Sequence, residues 1–186
     1  MRRPTIFEFL NSRADITGQK VRLRPRRLED AIREYRWRTD EELSLLDASV
    51  PTDLSYPDFV ERYSIELEYP GLTYTLAVDT LVGQHIGTCS IFNFDFMSGN
   101  AEVGLLIGDK AYWGQGYGSD AMKTFTRYIF QASDISTILL RTLDWNKHAQ
   151  ACFKKCGFSP CGAMTNGNYK FIIMELKRDA ILSDGQ

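Results

Sequence analysis

The stretch Trp113-Gly114-Gln115-Gly116-Tyr117-Gly118-Ser119-Asp120-Ala121-Met122 decides the fold. Its three alternating glycines separate an apolar, β-compatible run, Ala101 to Gly108, from a segment in which Ala121, Met122, Phe125, Ile129 and Phe130 recur at helical spacing. The glycines therefore punctuate a strand-to-helix junction. Glycine permits positive φ and close backbone approach, and the free N–H groups that open a helix lie at the positive end of its dipole, where phosphate oxygens are favoured. A diphosphate is the natural guest. Two other phosphate loops are excluded, because the dinucleotide fingerprint needs a third glycine where this chain has Ser119, and the Gly-Lys-Ser/Thr of a Walker loop is missing.

A second informative element follows about thirty residues on. Thr137 to Leu143 reads as an apolar strand, and Asp144-Trp145-Asn146-Lys147-His148-Ala149-Gln150-Ala151-Cys152-Phe153-Lys154-Lys155-Cys156-Gly157-Phe158 then reads as an asparagine cap, an amphipathic helix and a glycine stop. Together the two elements resemble the GNAT superfamily of acyl-CoA N-acyltransferases. In that family a loop Gln/Arg-x-x-Gly-x-Gly/Ala binds the CoA diphosphate; here it matches Trp113 to Gly118, with Trp113 in place of Gln/Arg. The family's later signature matches Asn146, Ala149, Phe153, Gly157 and Phe158. The tryptophan before the loop, the opening Val21-Arg22-Leu23-Arg24-Pro25 and the early Trp37-Arg38-Thr39-Asp40 resemble the branch that acetylates ribosomal-protein N-termini, which also holds acetyltransferases for small amines and antibiotics.

The resemblance implies a site as well as a fold. Acetyl-CoA would lie with its diphosphate on Gly114, Gln115, Gly116, Tyr117, Gly118 and Ser119, and its pantetheine arm beside Leu105, Leu106 and Ile107, where the strand splays from its neighbour. The Leu105 amide would support the thioester carbonyl. A primary amine, on a small molecule or a protein N-terminus, would attack the thioester directly, with Glu102 as its base. Asn146 would contact the coenzyme or cap its helix. The position of Phe153 often carries a tyrosine that protonates the leaving thiolate, and phenylalanine cannot, so Tyr117, Tyr112 and Cys152 are weaker substitutes. Asp95, Glu34, Asp40 and Glu41 are carboxylates that could attract a cationic acceptor or simply face water. Lys123, Arg127, Lys147, Lys154 and Lys155 are the cations available to a 3′-phosphate. A non-catalytic acyl-CoA-binding or sensing module is the alternative reading.

The length of 186 residues gives one domain with one core, without need of a metal or disulfide. A net charge of −2 argues against a nucleic-acid binder working through a broad basic field. Positive charge precedes apolar residues in Met1 to Leu10, but Glu8 and Asn11 interrupt a signal-peptide core, and no apolar run is long enough to span a bilayer, so a cytoplasmic protein without membrane partners is expected. Cys89, Cys152, Cys156 and Cys161, with His85 and His148, make no metal-ligand spacing, so reduced thiols are expected and no metal. Cys152 and Cys156 stand one helical turn apart, which leaves a redox pair conceivable. Oligomeric state, a homodimer included, stays open.

Along the chain, residues 1–18 read as an N-terminal extension, 19–178 as the acetyltransferase-like domain and 179–186 as a tail. Lys20 to Arg24 alternates as a strand, and Leu28, Ile32, Tyr35 and Trp37 mark an amphipathic helix. A second helix starts near Pro57, with Phe59, Val60, Tyr63, Ile65 and Leu67 on its buried side. Leu72 to Val78, Gln84 to Phe94 and Asn100 to Ile107 form an antiparallel meander. The expected class is α/β with a mixed sheet: the meander, then strand, helix, strand, helix, then a C-terminal hairpin around Asn166-Gly167-Asn168.

Overall fold

Alternation along Val21–Pro25 sends Val21 and Leu23 to one face of the chain and Arg24 to the other, and this division of apolar from polar continues through the neighbouring strands. The computed structural model describes residues 16–182. Within them lie β1 (Ile16–Thr17), β2 (Val21–Pro25), α1 (Ala31–Arg38), α2 (Glu41–Leu46), α3 (Tyr56–Glu68), β3 (Tyr74–Thr80), β4 (His85–Asp95), β5 (Asn100–Ile107), α4 (Tyr117–Ala132), β6 (Thr137–Leu143), α5 (Lys147–Lys155), β7 (Ser159–Asn166), β8 (Tyr169–Lys177) and α6 (Arg178–Leu182). All the strands share one eight-stranded sheet in the order β1-β2-β3-β4-β5-β6-β8-β7.

The sheet is antiparallel from β1 to β5, as the meander requires, and β5 then pairs parallel with β6. The last hairpin turns at Gly167, whose φ is +54°, and places β8, not β7, beside β6. Sequence chemistry explains that choice. The apolar β8 strand buries Met174 and Leu176, while β7 carries Pro160 and a register shift beside it, features suited to an exposed edge. On one sheet face α4 buries Ala121, Met122, Phe125, Ile129 and Phe130 against Val21, Leu23, Val78, Cys89, Ile91, Ala101 and Val103. That is the apolar stripe read from the sequence.

The helices before the meander depart from their expected faces. In α1 the buried residues are Ala31, Glu34 and Trp37, while Leu28, just before it, and Ile32 are exposed. In α3 Tyr63 is buried and Ile65 is exposed. The reason is that these helices cover a polar layer, so their inward faces do not follow apolar periodicity. The short α2, started by the Asp40 carboxylate accepting from the Leu43 N–H at 2.9 Å, was not foreseen as a helix. β1 lies within the stretch read as an extension, and α6 starts at the last residue of the stretch read as the domain and runs into the tail; Met1 to Leu10 lies outside the described residues.

Arg24 organises that polar layer. Its guanidinium, 5% exposed, bonds both Asp30 carboxylate oxygens at 2.7 Å and reaches Asp79 through Nε at 2.7 Å. His85 stands between Asp79 (Nδ1 to Oδ1, 3.3 Å) and Glu34 (Nε2 to Oε1, 3.7 Å), contacts too oblique or long for good hydrogen bonds and therefore mainly coulombic. Burial works against a charged imidazole, but Asp79, Glu34 and Asp30 overcome it and lift His85 to about 9. Because the folded value lies above the ordinary 6.5, this stabilisation is complete below about pH 6.5 and is lost as pH rises through about 9. Thermal unfolding of the wild type against His85→Gln should therefore show a gap of roughly 1–3 kcal/mol near pH 6 that narrows by pH 9.5; a gap independent of pH would remove the charged-histidine reading.

Candidate active site

Parallel pairing of β5 with β6 covers only Asn100–Thr137, Ala101–Ile138 and Glu102–Leu139. Beyond these three rungs the strands diverge, although β5 continues to Ile107 on β4 and β6 to Leu143 on β8. Side-chain donors serve the far ends of the opened strands. Trp113 Nε1 donates to the Ile107 carbonyl at 2.7 Å, and Gln150 Nε2 donates to the carbonyls of Leu143 at 2.9 Å and Asp144 at 3.0 Å. The tryptophan that replaces the family's Gln/Arg thus fastens the loop to the end of β5. Since main-chain direction alternates along a strand, Leu105 turns its N–H and C=O toward the same opened edge as Ile107.

A cavity of about 520 Å³ fills this opening. Val103 to Ile107 line one wall, Leu140 to Leu143 the other, and Trp113, Gly114, Gly116, Gly118 and Ser119 close its end at the start of α4. Gly116 is the N-cap of α4 with φ +86° and no side-chain cap, and Gly114 has φ +71°. Both conformations are costly for any residue with a Cβ. The result is a helix start without a side-chain cap, whose Gly116, Gly118 and Ser119 line the cleft next to apolar strand walls. A helix start of that kind fits a diphosphate joined to an extended amide-bearing arm.

The loop is braced from behind by contacts the sequence did not announce. Asp120 accepts from the N–H groups of Gln19, Lys20 and Val21 at 3.2, 2.7 and 3.1 Å, and Lys20 Nζ donates to the Gln115 carbonyl at 2.8 Å. Tyr117 turns its ring toward Lys20 and Tyr112, not into the cavity, which Tyr112 and Cys152 do line. Asn146 caps α5, accepting from the Ala149 N–H at 3.0 Å, and also lines the cleft. Phe153 is 8% exposed, packs on Phe158 with ring centroids 6.2 Å apart, and presents its edge to the same cavity.

A second cavity, also about 520 Å³, lies across β5. Trp37, Phe92, Thr75, Thr88 and Ser90 form its body, and Arg26, Glu34, Arg38, Asp47 and Glu66 its charged lining. The two cavities share Gly104, Leu105, Leu106 and Asp47, so they meet over the middle of β5. Asp47 follows α2, is held by Arg38 at 3.2 Å, and has a side chain 49% exposed. Its partial burial raises the carboxyl above the ordinary value, opposed by the Arg38 charge.

The other carboxylates named from sequence have occupations elsewhere. Glu102, at the last paired rung, is bound by Arg141 Nε and by Asn93 Nδ2, and lines neither cavity. Asp95 holds the β4–β5 turn through Met97, Ser98 and its hydroxyl. Asp40 caps α2 and pairs with Lys110 at 2.8 Å, and Glu41 is exposed. Glu34 is buried, accepting from the Tyr63 hydroxyl at 2.7 Å. Among the cations, Lys155 lines the coenzyme-sized cleft and Lys147 donates to the Asp144 carbonyl. Sequence reasoning gave no role to Asp47, Arg38, Arg141 and Gln150; Arg38 and Gln150 lie inside the quoted stretches but not at their signature positions.

With the cleft in view, residues 20–159 match the family described as the acetyltransferase (GNAT) domain, and the chain belongs to that family. No curated protein sequence matches it. Among solved structures it is similar to a GNAT-family acetyltransferase from Bacillus anthracis, at 14% identity and TM-score 0.75 over 89% of this chain and 99% of that one. It is likewise similar to the aminoglycoside acetyltransferase AAC(6')-Ib in complex with coenzyme A, at 19% and 0.74 over 89% and 99%. A third is spermidine N-acetyltransferase from Vibrio cholerae in complex with CoA and spermine, at 17% and 0.76 over 87% and 98%. Identities this low show a shared fold. No helix among the described residues is long and apolar enough to cross a membrane.

Replacing Trp113 by Phe keeps the ring but removes the donor to Ile107. The expected result is a loss of about 1 kcal/mol, read as a fall in melting temperature of about 2–4 °C; no change would show that the indole bond does not hold the loop.

Proposed function

We propose that this chain is an acetyl-CoA-dependent N-acetyltransferase in which coenzyme and amine approach β5 from opposite cavities. The observation that carries this reading is the meeting of the two cavities at Gly104, Leu105 and Leu106, beside a main-chain donor turned to the open edge. Gly114, Gln115, Gly116, Tyr117, Gly118 and Ser119 would hold the diphosphate through main-chain N–H groups, and Leu105, Leu106 and Ile107 the arm. The coenzyme supplies an activated acetyl thioester. The chain's part is to place a neutral amine against it and keep both in register, a contribution of proximity rather than covalent catalysis. The acceptor is a primary amine, a protein N-terminus or a small amine in the cytoplasm; neighbours carrying aminoglycosides and spermine support an amine acceptor in general terms.

The acceptor ammonium must lose a proton, and two carboxylates compete for that task. Glu102 is bound by Arg141 and Asn93 and lines neither cavity, so it would act only through water. Asp47 lines both cavities and carries a raised carboxyl, which favours it as the direct acceptor. Phe153 offers no proton to the departing sulfur, but a thiol of pKa about 8.5 leaves without one, and Tyr112 lines the same cleft.

Two measurements test the reading. Gly116→Val should lower CoA affinity at least about 100-fold by calorimetry, because its φ of +86° excludes a β-branched residue; wild-type affinity in that variant, or no binding to the wild type, would end the proposal. With an amine that supports turnover, drawn from spermidine, kanamycin and N-terminal peptides, Asp47→Asn should lower kcat/KM by about 10²-fold or more with CoA affinity intact. It should also abolish the rise in rate with pH that a deprotonating carboxylate produces. The reverse ranking, with Glu102→Gln the more damaging to turnover at constant CoA affinity, assigns the proton to Glu102.

A further inference from the structure

Two thiols converge on the same residue of the coenzyme loop. Cys152, on α5, places Sγ 3.3 Å from the Ser119 hydroxyl, and Cys156, four residues on, donates its thiol to the Ser119 carbonyl at 3.4 Å. Ser119 belongs to the first turn of α4, and Cys152 itself lines the cleft, where a Cβ built on Gly118 would lie 3.7 Å from its sulfur. Cys152 is therefore partly exposed inside the cavity, while Cys156 is buried behind it and Cys161, on β7, faces bulk solvent. None of these sulfurs has a task in the acetyl transfer described above.

The surroundings of the two thiols differ in a useful way. The neighbouring Cys156 thiol, the Ser119 hydroxyl and the ammonium groups of Lys155 and Lys123 all favour a thiolate on Cys152, against the opposing effect of burial. The same neighbour and burial raise Cys156, which stays a protonated thiol. Residues i and i+4 of a helix have Cα atoms about 6 Å apart, near the upper end of what a disulfide spans, and Cβ atoms about 5–6 Å apart against the usual 3.5–4.5 Å, so closing the bond requires the end of α5 to unwind. Cys156 is the C-cap of α5, just beyond its last residue, so the movement needed is confined to the helix end, where Cys156 and Phe158 donate to the Phe153 carbonyl and Gly157 to that of Lys154.

We infer that Cys152 and Cys156 form a peroxide-reactive dithiol inside the coenzyme cleft, with Cys152 as the attacking thiol and Cys156 as the resolving one, and that bound coenzyme shields it. The chemistry balances with hydrogen peroxide as the oxidant. The Cys152 thiolate attacks one peroxide oxygen, the S–O bond forms, the O–O bond breaks, and hydroxide leaves and takes up a proton as water. The Cys156 thiol then loses its proton as its sulfur attacks the sulfenic acid, the S–S bond forms, and a second water departs. Two thiols are oxidised by two electrons and the peroxide is reduced to two waters. The shielding step rests on the coenzyme assignment proposed above, whereas the dithiol does not.

The test is to treat the full chain with hydrogen peroxide, with and without saturating CoA, and to map products by mass spectrometry after blocking free thiols. The expected wild-type product is a loss of two hydrogens joining Cys152 to Cys156, absent from Cys152→Ser. Cys156→Ser should instead trap a dimedone-reactive sulfenic acid on Cys152. In untreated protein, iodoacetamide should label Cys152 at least about tenfold faster than the exposed Cys161, since reactivity follows the thiolate fraction, and CoA should slow that labelling at least about tenfold. A disulfide through Cys89 or Cys161, or Cys152 labelling no faster than Cys161, overturns the dithiol. Unslowed labelling by iodoacetamide in protein that calorimetry shows to be CoA-bound overturns the shielding. Absence of CoA binding to the wild type refutes the coenzyme assignment and the shielding with it, and leaves the dithiol to be decided by the peroxide products.

Discussion

Everything at this site depends on two parallel strands that separate after three rungs. A sheet loses ladder hydrogen bonds wherever strands part, and exposed main-chain groups between apolar walls are costly unless something replaces the lost partner. Here the replacement is partial and built in. Trp113 supplies a donor at the end of β5 and Gln150 supplies donors at the end of β6, which leaves the middle of the cleft, around Leu105, for a guest. The separation also creates the second cavity's access to β5, because Gly104 adds no side chain between the two spaces.

The second cavity is lined by charges that are largely paired with one another. Arg26 meets Glu34 and Glu66, Arg38 meets Asp47, and Glu34 is further held by Tyr63 and His85. Glu34, held by the largely buried Arg26 guanidinium, has little left to offer a second cation, whereas Asp47 is paired, among the described residues, only with the exposed Arg38. The Arg24 network beneath fixes where α1 sits, and α1 carries Glu34 and Trp37 into the cavity wall.

The parts of this architecture that the sequence disclosed are those written in local chemistry. The glycine junction before α4, the asparagine cap and glycine stop of α5, and the α4 stripe from Ala121 to Phe130 are each set by residues a few positions apart, so spacing alone locates them. The parts it concealed depend on long-range pairing. α1 looked apolar at Leu28 and Ile32 because periodicity assumes an apolar neighbour, whereas its actual neighbours are Arg24, Asp79 and His85. Likewise Glu102 read as an available base because its partner Arg141 is 39 residues away. Asp47 had no signature at all, being defined only by where α2 ends relative to β5.

Phe153 shows how structural and chemical demands on one position come apart. The side chain belongs to the core, packed on Phe158 and contributing to the cleft wall, so the fold requires a ring there whether or not it carries a hydroxyl. Removing the ring would leave a cavity worth about 3–5 kcal/mol, whereas removing only a hydroxyl removes one proton donor near a leaving group that ionises readily. In the proposed reaction a thiolate would depart on its own acidity, assisted by the Lys155 and Lys123 charges that favour a thiolate at Cys152. Under that proposal the electrostatics around the start of α4 would serve phosphate and sulfur alike, and a phenylalanine at position 153 would not silence a site whose other determinants are main-chain.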